Sequence, residues 1–138
     1  MTNKTNTFQK KQETKDLRKS IRKEAKKFCN QKLFHDVFQH GVSISNRNIK
    51  EILNQPHKYF DKKNNAILEL DKLFQKSIYL GKLNKQHIDD GFSSFLFKIT
   101  IENENSWIIV RKYDTTPQYC LYCISDSDTL MQYLVKTL

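Results

Sequence analysis

A few side chains in this sequence have the chemistry to handle an anionic, ring-bearing ligand. His57 follows Pro56, and an imidazole titrates near neutrality, so it can take or give a proton at physiological pH. Arg111 is a planar, permanently charged fork suited to phosphate. It alternates with Trp107, Ile109 and Tyr113 along one run, and Tyr122 lies in the next. Rings beside a guanidinium on an open sheet face suit nucleobase stacking and phosphate binding. The other reading has the same aromatics packing beneath a terminal helix. Cys120 and Cys123 form a C-x-x-C, but positions three apart in a regular strand point to opposite faces. No second ligand pair exists to complete a tetrahedral site. No metal and no cofactor are expected.

These side chains need a scaffold, and the chain is long enough for one. It has 138 residues, 38% hydrophobic and 28% charged, with nine Phe, six Tyr and one Trp, an aromatic content that excludes wholesale disorder. The net charge of +9 is unevenly placed: residues 1–32 hold eleven Lys/Arg against three Asp/Glu, and the other 106 residues are close to neutral. Such a cationic arm attracts anionic partners through screened, sequence-blind electrostatics. A solvated helix face and a membrane surface are its other readings, the latter weakened because the apolar stripe carries no Trp. No apolar run approaches the length of a membrane span. Three cysteines make no disulfide framework, so a cytoplasmic location is expected.

The coarse reading is α+β, with N-terminal helices packed on one face of a small curved antiparallel sheet of three to four strands. Residues 1–12 read as a disordered basic tail, 13–41 as a basic amphipathic helical arm, and 42–138 as an α+β domain. In the arm, Leu17, Ile21, Ala25 and Phe28 recur at helical spacing, with Lys19, Lys23, Lys26 and Lys27 on the other faces. A second helical stretch is expected over Leu33–Phe38, ending at Gly41. Ser45 or Asn46 caps a helix that Pro56 stops. One longer helix spans about His57 to Ser77, with Phe60, Ile67, Leu70, Phe74 and Ile78 on the inward stripe. Residues 82–94, with His87, Asp89 and Asp90, read as a long polar loop and a candidate gate. Strands follow at Phe95–Glu102, Trp107–Tyr113 and Tyr119–Ser125, then a terminal helical turn containing Leu130 and Leu134. Phe95, Phe97, Ile99, Ile101, Ile108 and Val110 belong to the helix-covered face.

Several short pieces in order resemble a known group. They are Ile49-Lys50, His57-Lys58, Lys63, Leu68 through Lys76, Ser77-Ile-Tyr79 with Gly81, Val110-Arg111 and Leu121-Tyr-Cys-Ile124. Together, over about residues 42–126, the chain resembles the barnase–EndoU–colicin–RelE nuclease domains of phage and mobile-element polyvalent proteins. It has Glu51 where members often carry a histidine. The resemblance implies a metal-independent endoribonuclease, toxin- or effector-like, that uses 2′-hydroxyl attack. RNA would be the partner, with a cognate inhibitor protein alongside. Under that reading His57 is the base, Arg111 the phosphorane's cation, and Lys50 a second cation or acid. Tyr122 orients the nucleotide. Lys58, Trp107, Tyr113 and Ser125 would bind RNA, joined by Lys19, Lys23, Lys26 and Lys27 of the arm. The alternative is a non-catalytic nucleic-acid-binding or protein-interaction module of a mobile element.

Overall fold

The computed structural model describes residues 3–84 and 91–135; the side chains of residues 3–8 are outside the description. The fold is α+β. Helix α1 (Asn3–Ala25) continues into a 3-10 turn, Lys26–Asn30. Ile21, Ala25 and Phe28 of the sequence's apolar stripe are buried, and Leu17 packs beside them. The helix starts well before that stripe, so residues 3–12, read as disordered from their polarity, are helical. No Gly or Pro interrupts them, and adding a turn to an existing helix is far easier than nucleating one.

Strand β1 (Val42–Ser43) precedes α2 (Asn46–Asn54), α3 (Phe60–Ala66) and α4 (Leu70–Lys76). Strands β2 (Ile78–Lys82), β3 (Phe92–Ile101), β4 (Glu104–Tyr113) and β5 (Tyr119–Ser125) complete the sheet, and a 3-10 segment, Asp128–Tyr133, follows. The strand order is β1-β5-β4-β3-β2. The expected meander of β3, β4 and β5 forms its centre. The sheet has five strands rather than three to four, and it is mixed, because β1 pairs parallel to β5. Strand β2 occupies sequence read as the end of a helix and the start of a loop. It turns at Gly81, whose φ of 133° a side chain rarely adopts, where its register with β3 shifts. The two-residue turn Glu102–Asn103, both at positive φ, joins β3 to β4. Of the expected polar loop, Lys82 belongs to β2 and Phe92–Ser94 to β3; residues 85–90, with His87, Asp89 and Asp90, lie outside the described residues.

Two helical expectations change. Leu33–Phe38 is a turn, because Leu33 bridges Val42 and His35 caps the turn from within. His35 Nδ1 accepts the backbone N–H groups of Val37 and Phe38, while Nε2–H donates to the Ser77 carbonyl at 2.6 Å. His40 is therefore not at a helix end; it stacks on Tyr119 at 4.4 Å. The single helix expected over His57–Ser77 is two helices with a 3-10 turn, Ile67–Glu69, between them. Residues 57–59 stay outside it: Tyr59 is the non-helical cap residue of α3, and the Lys58 and Tyr59 N–H groups donate to Asp126 Oδ2 and His57 Nδ1, both at 2.8 Å.

The sheet's two faces are both used. Phe97, Ile99, Ile101, Ile108, Val110, Leu121 and Ile124 share one core with Ile21, Ile49, Ile52, Leu70 and Phe74 from the helical side, and Phe95 packs against it. On the other face Leu83, Leu96, Trp107, Ile109 and Cys123 make a smaller core, against which Leu130 and Leu134 pack. Leu134 bridges to Leu83. Of the two readings of this face, the covered one holds: the C-terminal segment lies over it, and Trp107 is only 3% exposed. Among the described residues no helix is long and apolar enough to cross a membrane.

Trp107 is the sole tryptophan and reports on this cover. Leu134→Ser should move its emission to longer wavelength and cost about 1–2 kcal/mol of stability in urea unfolding. Unchanged emission would show that the segment does not seal the face.

Candidate nucleic-acid interface

The residues expected to form a catalytic centre are built onto different parts of the scaffold. Gln55, Pro56 and His57 leave the end of α2 and run beside β5, where Gln55 Oε1 accepts the Ile124 N–H at 3.2 Å. His57 Nδ1 accepts from the Tyr59 backbone, so the ring proton resides on Nε2, which donates to Ser106 Oγ at 2.8 Å. Burial holds the His57 pKa below its ordinary value; Asp126 opposes this and Lys63 adds to it. Desolvation is the leading cause, and α3 begins only at Phe60. Both ring nitrogens are engaged in hydrogen bonds of the fold.

A 480 Å³ cleft lies beside this histidine, lined by His57, Lys58, Tyr59, Glu104, Trp107 and Asp126 among others. Its charge does not favour phosphate. Lys58 Nζ reaches both Glu104 carboxylate oxygens at 3.0 Å, and Asp126 and Asp128 also face the cleft. Lys58 is held in its charged form by Glu104, whose own pKa is lowered by the same contact. Ser125 Oγ accepts the Ser127 N–H.

Arg111 is on the other side of the sheet. Ser106 and Arg111 are five residues apart on β4, so their side chains leave opposite faces. Ser106, with His57, is on the main-core side and Arg111 on the side of Trp107 and Ile109. The guanidinium carbon sits 3.4 Å from the Tyr122 ring centroid and 3.9 Å from that of Phe92, a clamp between two rings. Arg111 pairs with Cys120 across the sheet. A register shift between Ile109 and Val110 leaves Tyr122 unpaired in β5 and puts Cys123 opposite Ile109. Cys120 and Cys123 therefore share a face, contrary to the regular-strand expectation. Burial raises the Cys123 thiol pKa to about 11. Tyr113, at the end of β4, is 39% exposed.

The strongest concentration of unpaired cations lies elsewhere, between α1 and α2. Lys15, Arg18, Lys19 and Arg22 recur at i, i+3, i+4 and i+7, one face of a helix. They line a groove with Lys50, Leu53 and Asn54 of α2. That stripe runs one position beyond Leu17 and Ile21, so burying the apolar stripe places the cations along the helix–helix seam. Arg18 Nη1 donates to Asn54 Oδ1 at 2.6 Å, while the Nε atoms of Arg18 and Arg22 are enclosed with no partner among the described residues. The ion pairs present instead engage Arg47, Lys58, Lys62 and Lys72. Lys19 and Lys50 from the expected set thus meet in this groove, and Lys23, Lys26 and Lys27 are exposed further along the same arm. Neither His57 nor Arg111 joins them.

Lys63 is the residue whose role sequence reasoning missed. It is 0% exposed, and Nζ donates to the carbonyls of Ile52 and Gln55 at the end of α2. The neighbouring Asn64 Nδ2 donates to Leu53 O at 3.1 Å. Only its position in the resemblance's motif singled it out. Among the described residues no group of His, Cys, Asp and Glu is arranged to hold a metal ion.

The family described as large polyvalent protein-associated domain 3 matches residues 12–120. The chain belongs to that family. The match spans both the cationic helix and most of the sheet, and it names a polyvalent-protein association and no reaction. No curated protein and no solved structure matches the chain.

Lys63 also gives a pH signature. Burial, then the Arg18 charge, lowers its pKa to about 8, below the ordinary lysine value of 10.5. Between those two values the unfolded chain holds the extra proton, so stability rises as pH increases through this window and levels off below it. Lys63→Met should flatten that rise. At pH 7 it should cost about 1–3 kcal/mol, by leaving two helix-end carbonyls without their donor. Parallel slopes for the two proteins in urea unfolding between pH 7 and 10 would refute the assignment.

Proposed function

We propose that this domain is a nucleic-acid-binding accessory module of a mobile-element polyvalent protein, which grips the sugar–phosphate backbone along the α1–α2 seam. The carrying observation is the cationic stripe Lys15, Arg18, Lys19 and Arg22 facing Lys50, none of which has an ion pair among the described residues. A row of cations along a helix, spaced at about 5–6 Å, suits the regular charge of a phosphodiester chain. Each phosphate neutralised releases counterions, which makes affinity steep in salt and indifferent to sequence. RNA is the proposed polymer, in keeping with the resemblance to RNA-cleaving domains.

Binding without cleavage fits this arrangement better than a metal-independent ribonuclease. Cleavage needs a base, an acid and a cation around one phosphate. Here the His57 lone pair is occupied, Arg111 and Tyr122 are clamped together on the opposite face, and Lys50 is in a third place. A cognate inhibitor protein would be required only by a chain that cuts.

The test is anisotropy of a labelled RNA over a potassium chloride series, with EDTA present and the RNA ends analysed. The wild type should bind without producing 2′,3′-cyclic phosphate ends. Lys19→Gln with Lys50→Gln should weaken binding and reduce the slope of log affinity against log salt by about two, roughly one per lost phosphate contact, with circular dichroism unchanged. An unchanged slope would remove the seam as the binding surface. Cyclic-phosphate ends that disappear in His57→Ala would establish the ribonuclease reading instead.

A further inference from the structure

A second, larger groove of 590 Å³ adjoins the seam, lined by Lys10, Lys11, Thr14, Lys15, Arg18 and Phe60. Lys15 and Arg18 also line the smaller groove with Lys50, so the two share a wall. Both walls are mostly apolar, and the larger groove adds an aromatic ring, Phe60, to the hydrocarbon stems of the long cations. Phe60 opens α3 and is only half-buried, although it falls on the stripe that sequence periodicity assigns to the core. The Arg18 guanidinium carbon lies 5.7 Å from its ring centroid and Lys63 Nζ lies 4.8 Å from it.

We infer that Phe60 is a stacking platform for an unpaired base, and that the ligand of the seam is single-stranded nucleic acid. This inference rests on the proposed function and specifies its substrate. An aromatic floor rimmed by cations, beside a groove where Lys15, Arg18, Lys19, Arg22 and Lys50 gather, calls for a ligand that joins flat rings to anions at short, regular spacing. A single strand has that chemistry: one base can leave the stack and lie over Phe60 while the adjoining phosphates follow Lys15, Lys19 and Lys50. A duplex keeps its bases stacked inward and offers only phosphates. An acidic peptide would satisfy the cations and leave the ring uncovered. The hydrocarbon stems of Lys10 and Lys11 can close over the base edge while their ammonium groups stay in solvent.

The experiment compares three labelled RNA ligands of equal length: a uridine single strand, an abasic strand of the same charge, and a duplex. The full chain should bind the uridine strand about tenfold more tightly than the abasic one, equivalent to ~1.4 kcal/mol, within the range of one stacked base. Phe60→Leu should abolish that ratio while leaving abasic-strand affinity unchanged. Phe60→Trp should retain the ratio and gain a fluorescence that the uridine strand quenches, beyond any change in the wild type, whose only tryptophan is the buried Trp107. Equal, salt-steep affinity for all three ligands would overturn the stacking inference and leave the phosphate-binding proposal standing. A ratio that survives in Phe60→Leu, with no quenching in Phe60→Trp, would also overturn it. Failure to bind any of the three at low salt, or displacement of both strands by polyglutamate at matched charge, would overturn the two proposals together.

Discussion

The closure of α2 by Lys63 and Asn64 holds the rest of the site region in place. A nine-residue helix ends with carbonyls that have no partner of their own, carrying the negative end of the helix dipole. Here a buried ammonium and a side-chain amide from α3 supply the missing donors. A lysine buried without a carboxylate counter-ion is costly. The carbonyl acceptors offset that cost, and its depressed pKa records what remains of it. The same contact fixes where the chain turns at Pro56, and so where His57 meets Ser106 and where α2 lies against α1. The seam between those two helices, with its row of cations, inherits its geometry from this one capped end.

The sheet then separates groups that composition alone would place together. Alternation along β4 puts Ser106 and its partner His57 on one side and Arg111 on the other. The shift near Val110 does the complementary work, leaving Tyr122 out of the ladder and against the guanidinium. With both faces covered, one by helices and one by the C-terminal segment, the sheet acts as a partition between two cores. The groove proposed to bind nucleic acid lies between helices instead.

Charge is distributed in keeping with that division. On the histidine side, lysines are neutralised locally, Lys58 by Glu104 and Lys62 by Glu102. Along α1 no lysine or arginine has an ion pair among the described residues, and the potential of the arm adds up over neighbouring turns. Phe60 stands where the apolar interior reaches the cationic surface, with the Arg18 and Lys63 charges near its ring. Membership of a polyvalent-protein domain family is in keeping with a module that holds a polymer for other parts of a large assembly.

Much of the fold could be read from residue order, because it depends on local periodicity. The period-two runs of β3 and β4 fixed which side chains face the helices, while the irregular pairing of β5 broke its alternation, and the Leu17–Phe28 spacing set the buried stripe of the arm. The charge asymmetry of the first 32 residues likewise follows from composition. Whether a face stays open does not, since Leu130 and Leu134 close it from a distant part of the chain. Residues 57–59 and Leu33–Phe38 read as helical but are placed by contacts with distant segments, Lys58 with Asp126, Leu33 with Val42 and His35 with Ser77. Lys63 reads as one more surface lysine until the end of α2 is brought against it, and Phe60 as one more core ring until the cationic groove forms beside it. Periodicity assigns a side chain to a face of its own element; what meets that face depends on contacts between distant segments, and only the tertiary structure supplies them.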